Sequence, residues 1–184
     1  PDELKNMEGS MMNNFLKCIS LTLAIIVSAT AGAAAADRQT FLGQHGVWYA
    51  YKLIEDGQRS CYIVSKPRRS RGKFRKRGDV VVFVTHRPKE KDRDVVNFQA
   101  GYTFKLKSTV TVSIKDKKFK LITDKDAAWS KNVASDKVLI AAMKKGNAMK
   151  VVGRSKSGVT TTDTYSLKGF TRAIKKINRA CGLK

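Results

Sequence analysis

The sequence predicts a mainly β fold, an antiparallel β-sandwich-like domain with a short helix and a C-terminal helix. Three observations carry that expectation. Short runs of β-branched and aromatic residues recur about every ten residues, separated by Gly-, Asp- and Ser-bearing turns, as in an antiparallel sandwich or barrel. Val110, Val112 and Ile114 alternate with Thr109, Thr111 and Ser113, the pattern of a strand with one buried face. Phe170, Ala173, Ile174, Ile177 and Cys181 recur at helical spacing, while Lys168, Arg172, Lys175, Lys176 and Arg179 fall on the other faces.

Taken in order, residues 37–46 read as a polar lead-in, and residues 47–53 as an aromatic-rich strand. A turn at Asp56 and Gly57 returns the chain through Cys61, Ile63 and Val64, which makes a hairpin ended by Pro67. Residues 68–78 form a loop of seven cations and no acid, after which Val80 to Thr85 fits a strand covered on both sides. Residues 86–94 are a second charged loop, of mixed sign. Residues 95–104 resume extended character, with Gly101 as a bulge or bend. The Thr109–Ile114 strand turns at Lys115, Asp116 and Lys117 into Phe119 and Leu121. Ser135 is placed to cap a short helix with Val138, Leu139, Ala142 and Met143 inward and Gly146 closing it. Two strands near 149–153 and 159–165 flank a turn ending at Gly158. Ser166 can cap the last helix, and Gly182 suits the left-handed position past its end.

The chain divides near residue 36. Residues 19–36 contain no charge and end in small residues, so residues 1–36 read as upstream residues plus a cleavable signal peptide, cut between Ala36 and Asp37. A membrane anchor is the competing reading, since the apolar run is long enough to span. Cleavage leaves residues 37–184, one ordinary domain. The whole chain carries a net charge of +22, and removing residues 1–36 raises it by one, because three acids and two cations leave. Such a surface favours polyanions. Export makes nucleic acid an unlikely partner and turns attention to anionic glycans, lipopolysaccharide, host-surface components and anionic membrane surfaces.

Cys18 lies before the cut, so two cysteines remain. In an oxidising compartment Cys61 and Cys181 are expected to bond, closing a loop of about 120 residues, with unpaired thiols or intermolecular pairing as the alternatives.

Eight segments then bear a likeness to a known family. They are WYAY at 48–51, CYIVSKP at 61–67, RGDV at 77–80 with THRP at 85–88, FQAGY at 98–102, AAW at 127–129, LIAAMKKG at 139–146, and YSLKGF at 165–170 with Cys181. On these the chain resembles the invasion-associated locus B family, exported proteins of alphaproteobacteria. The resemblance implies a β-sandwich-like fold, a periplasmic or surface location, and a role in invasion or envelope biology. It implies no reaction. The chain departs from the family in being unusually basic around residues 66–77.

No catalytic or cofactor site emerges. The two histidines, His45 and His86, and two bonded cysteines offer no ligand set with metal spacing. No nucleophile elbow or phosphate-cradling loop is present. The chain therefore reads as a non-enzyme without a cofactor. The anion-binding candidates are Lys66, Arg68, Arg69, Arg71, Lys73, Arg75, Lys76 and Arg77, since arginine's planar fork grips phosphate or sulfate with two hydrogen bonds. Against this stands a basic loop serving solubility alone. Arg77, Gly78 and Asp79 spell an integrin-type tripeptide but read as a turn leading into a strand. Trp48, Tyr49, Tyr51 and Tyr62 read as hairpin core before a stacking platform. The functional expectation is an exported protein binding an anionic envelope or host-surface component. The alternative is a structural or stress-related periplasmic protein without a dedicated ligand.

Overall fold

The computed structural model describes residues 37–74 and 76–183. The expected signal segment, Ala36 and Arg75 lie outside the described residues. In chain order the elements are β1 (Arg38–His45), β2 (Trp48–Glu55), β3 (Gln58–Ser65), β4 (Arg69–Arg71), β5 (Val81–Arg87), β6 (Asp92–Gln99), β7 (Thr109–Ile114), β8 (Lys117–Asp124), β9 (Ala127–Trp129), α1 (Val133–Lys145), β10 (Ala148–Arg154), β11 (Thr160–Ser166) and α2 (Phe170–Ala180). The mainly β, antiparallel architecture with a short helix and a C-terminal helix is what the chain forms.

All the strands join one hydrogen-bonded ladder in the order β1-β2-β3-β5-β6-β9-β8-β7-β10-β11-β4. Laid flat, β6 and β11 would stand five strand spacings apart, roughly 24 Å. Yet the rings of Phe98 on β6 and Tyr165 on β11 meet edge-on at 6.1 Å. Likewise Trp48 on β2 donates its indole N–H to the Ser166 carbonyl at 3.1 Å. The sheet thus folds over on itself, and its inward positions form one core running from Trp48, Ala50, Cys61 and Ile63 through Val82, Val84, Val96 and Phe98 to Val110, Val112, Leu121, Val151 and Tyr165.

The closing helix behaves as its apolar stripe dictates. Phe170, Ala173, Ile174 and Ile177 are buried against β1, β2 and β3, with Phe170 edge-on to Trp48 at 5.0 Å. Cys181, at its foot, bonds Cys61 on β3 across 120 residues. Gly182 takes the left-handed conformation (φ 69°) just past the end. The start differs from expectation. Ser166 is the last residue of β11, its hydroxyl accepting from the Lys168 N–H, and the N-cap is Gly169, with no side-chain cap. Packing decides this. Val47 N–H bonds Lys168 O, and a Cβ on Gly169 (φ 92°) would sit 2.0 Å from the His45 carbonyl oxygen, so only glycine lets this turn lie on the β1–β2 turn.

Several other elements differ from the sequence reading. Asn132, not Ser135, caps α1, accepting from the Ser135 N–H at 2.9 Å. The inward residues of α1 are Asp136, Leu139, Ile140 and Met143, whereas Val138 is 54% exposed. Asp136 is inward because its carboxylate accepts from the Val96 N–H on β6 at 3.2 Å. The polar lead-in is β1, an edge strand that needs few apolar residues. β4 and β9 are three residues each, too short to carry a period. The extended run expected over 95–104 is β6, which ends at Gln99, and Gly101 (φ 68°) lies in the bend beyond it.

Candidate functional site

Lys66 and Pro67 carry the basic segment away from β3. Lys66 Nζ reaches Asp79 Oδ1 at 3.5 Å, an exposed pair of little energetic weight. Arg68 N–H bonds the Thr164 carbonyl, and the chain then pairs as β4 along the edge of β11, with Arg69 opposite Thr164, Ser70 opposite Asp163, and Arg71 opposite Thr162. The expected loop is therefore partly a strand, and its alternation sorts the charges. Asp163 faces the core, while Arg69 and Arg71 face water beside two threonines.

The register extends this outward surface across four more strands. One row reads Arg69, Thr164, Lys150, Ser113, Lys118, and the next Arg71, Thr162, Val152, Thr111, Lys120. Arg154, paired with Thr160, adds a further cation. All six cations are exposed. No carboxylate occupies an outward position on β4, β11, β10 or β7, and the first on β8 is Asp124 at its far end. The result is a sheet face of cations interleaved with hydroxyls, able to meet an extended anion with both charge and hydrogen bonds.

The remaining candidates divide. Lys73 and Lys76 are exposed on either side of Phe74, whose ring stacks on Tyr102 at 4.9 Å and anchors the segment. Arg77 turns inward instead. Its Nη1 and Nη2 donate to the two carboxylate oxygens of Asp163 at 2.8 and 2.6 Å, its Nε donates to Ala100 O at 2.7 Å, and its guanidinium lies 5.1 Å over the Tyr102 ring. With 14% of its side chain exposed it is a core ion pair, not an anion-binding group. The same geometry keeps Arg77 from being displayed beside Asp79, so the tripeptide is the turn leading into β5. Burial is the first cause of the raised pKa of the Tyr102 hydroxyl, which bonds Thr161 Oγ1 at 2.6 Å.

The hairpin aromatics separate by strand parity. Trp48 is fully buried, as core packing requires, but Tyr49, Tyr51 and Tyr62 lie on the outward face and not in the core that the sequence pattern favours for them. Phe41 on β1 and Phe83 on β5 join them. Phe41 meets Tyr51 at 5.4 Å, Tyr51 stacks on Tyr62 at 5.3 Å, and Tyr62 meets Phe83 at 5.9 Å. Gln39 donates to the Tyr62 hydroxyl, whose pKa is raised, chiefly by burial.

His86, expected in a charged loop, is fully buried on β5 opposite Cys61. Its Nδ1 accepts from the Asp94 N–H at 3.0 Å, so Nε2 carries the proton and donates to Asn178 Oδ1 at 2.8 Å. Burial, ahead of the opposing pull of Asp94, holds its pKa below the ordinary histidine value. The ring ties α2 to the sheet and has no opening to a substrate. Among the described residues no cluster of three or more His, Cys, Asp or Glu side chains could hold a metal ion.

The outward cation face went unseen in the sequence, although Lys118/Lys120, Lys150/Arg154 and Thr160/Thr162/Thr164 carry the period-2 signal on the polar side of strands whose apolar side is plain. Comparison with known proteins adds one finding. The family model described as Invasion associated locus B (IalB) protein matches residues 52–178, well over half of the chain. No curated protein matches, and no solved structure does.

Proposed function

We propose, from the premise that this chain belongs to the invasion associated locus B family, that it is exported and holds an anionic polymer of the cell envelope or host surface, without catalysing a reaction. The observation that carries this reading is the outward face of β4, β11, β10, β7 and β8, with Arg69, Arg71, Lys150, Arg154, Lys118 and Lys120 set among serine and threonine hydroxyls. Six cations held on one rigid sheet repel one another, and among the described residues only Arg154 has a side-chain bond within the fold, its Nε to Gly158 O at 3.2 Å. An opposite charge lying along the face relieves that repulsion. Arg68 and Lys73 continue the surface at its β4 edge, where no side-chain partner is found for either among the described residues.

Export is supported by the uncharged run ending in small residues before Asp37. It is supported also by the Cys61–Cys181 bond, which persists in oxidising compartments. Lipopolysaccharide, anionic glycans and anionic lipid surfaces share that setting; nucleic acid does not.

The test is retention on immobilised heparin as salt is raised. The protein is expected to elute well above physiological salt. Arg69→Gln, Arg71→Gln, Lys118→Gln, Lys120→Gln and Lys150→Gln together should move elution down and flatten its salt dependence. Elution unchanged by the five substitutions overturns the reading. The mass of protein recovered from the cell envelope checks export separately, with cleavage between Ala36 and Asp37 as the expected result.

A further inference from the structure

We infer that the polymer is an acidic polysaccharide, and that the outward aromatic strip of β1, β2, β3 and β5 is the floor on which its sugar rings stack. This rests on the anion-binding reading above and goes further by naming the ligand's chemistry.

The outward side of an antiparallel sheet that faces water is normally polar. Here Phe41 is 56% and Tyr49 40% exposed, in a continuous strip with Tyr51, Tyr62 and Phe83. The pairing produces it, since Phe41, Tyr51 and Tyr62 are cross-strand neighbours in one row and Tyr49, Val64 and Phe83 in the next. A contiguous aromatic surface, exposed at Phe41 and Tyr49 and half-buried along the rest, marks a binding face.

What it binds follows from its rim. Tyr49, Tyr51, Val47 and Val64 line a hollow whose edge is made by Lys66 and Arg68. Arg68 leads straight into β4, which carries Arg69 and Arg71, so the floor and the cation face are joined by one short run of chain. A ligand spanning both must offer flat C–H faces to rings and anionic groups to cations. Pyranose rings bearing sulfate or carboxylate do so: their C–H faces meet the open ring of Tyr49, and their hydroxyls match the phenol edge of Tyr51, whose face is stacked on Tyr62. A polyphosphate chain has the charge and no such face. Hydrocarbon has the apolar surface but offers no hydrogen bond to the Tyr49 and Tyr51 hydroxyls. A second copy would bring Lys66 and Arg68 against each other on a chain already at +22.

The test measures affinity of the purified protein for heparin, for long-chain polyphosphate and for phosphatidylglycerol vesicles, with near-UV circular dichroism confirming the fold of each variant. Tyr49→Ala with Tyr51→Ala is expected to weaken heparin binding about ten-fold while leaving polyphosphate within about two-fold. Tyr49→Phe, which keeps the ring and loses only the hydroxyl, should weaken heparin binding less than Tyr49→Ala does. Should the double variant fail to fold, Tyr49→Ala alone, at an exposed position, should still weaken heparin selectively.

Equal losses on heparin and polyphosphate, or no loss on heparin, overturn the inference. Loss confined to vesicles assigns the strip to lipid, and a dimer in sedimentation that Tyr49→Ala dissolves assigns it to a second copy; both overturn it as well. Arg69→Gln with Arg71→Gln should lower heparin and polyphosphate binding together. If that pair changes neither while the tyrosine variants still weaken heparin, the cation-face reading fails and the sugar floor stands. A parent protein that binds no polyanion ends both.

Discussion

Removing the carboxylate of Asp163 should cost about 3–5 kcal/mol of stability, the range for a buried ion pair deprived of one partner. The geometry sets that expectation. Asp163 and Arg77 are 6% and 14% exposed, their two parallel hydrogen bonds measure 2.8 and 2.6 Å, and little of Arg77 reaches water, since its Nε is held by Ala100 O and its plane by Tyr102. Asp163→Ala leaves an uncompensated guanidinium inside the sheet. For a domain of this size the loss lowers the melting temperature by about 10 °C, read by circular dichroism and by urea unfolding without reductant. Replacing both partners with apolar residues, Arg77→Met with Asp163→Leu, should recover much of the loss, because desolvation offsets most of what a buried pair gains. An Asp163→Ala protein within about 1 kcal/mol of the parent would refute the reasoning. So would a double variant less stable than Asp163→Ala alone. Arg77→Gln should melt early yet, when folded, bind heparin as the parent does, which separates this arginine from Arg69 and Arg71.

Cys61→Ala with Cys181→Ala should lose up to about 5 kcal/mol in urea unfolding, the chain-entropy value for so long a loop, and a loss under about 1 kcal/mol would show that the α2 contacts alone close the fold. Gly169→Ala should cost about 3 kcal/mol or more, because its Cβ meets backbone, whereas Gly182→Ala, with nothing within 4 Å, should cost about 1 kcal/mol; equal costs would contradict the close approach to His45. His86 is held neutral in the folded state while the unfolded chain takes up a proton near pH 6.5, so its contribution is fully present above that pH and is lost as pH falls toward the depressed folded value. Asp136 works in the opposite sense: its raised pKa makes the folded state gain stability as pH falls. The His86 effect is therefore read as the difference between the parent and His86→Gln in urea unfolding from pH 8 to 5, and parallel profiles would exclude it.

Much of this architecture was legible because apolar residues report the inward face directly. The alternation from Thr109 to Ile114 and the stripe from Phe170 to Cys181 mark a strand and a helix that the fold contains, and the two cysteines left after residue 36 are the two that bond. The failures have physical causes. β1 is an edge strand whose pattern of Gln39, Thr40 and Gln44 resembles a loop, and β4 and β9 are shorter than any period. Ser166 and Ser135 look like caps, but contacts distant in sequence, Gly169 on His45 and Asp136 on Val96, move each helix start. The site was half legible. A run of cations from Lys66 to Arg77 is visible as composition, but composition cannot tell that Arg77 finds Asp163 86 residues away. Nor can it tell that Arg69 and Arg71 share a sheet face with lysines of two other strands, β10 and β8.

The division between the two sides of the sheet is what gives the proposed site its meaning. On the inward side, buried charged and polar groups hold the fold together. Asp163 pairs Arg77, Asp136 holds Val96, His86 ties β5 to Asn178 of α2, and the Trp48 indole bonds Ser166. These contacts, with the Cys61–Cys181 bond, account for how the sheet is folded over and closed. The outward cations take no part in them, and their mutual repulsion makes the fold less stable than the same sheet carrying mixed charges. The outward tyrosines likewise leave ring surface in water that a serine or lysine would not. A surface that opposes folding on charge and hydration alike, along two adjoining stretches linked by residues 66–71, is accounted for once a partner covers it, and the partner we propose, a charged sugar chain, has the chemistry to meet both stretches.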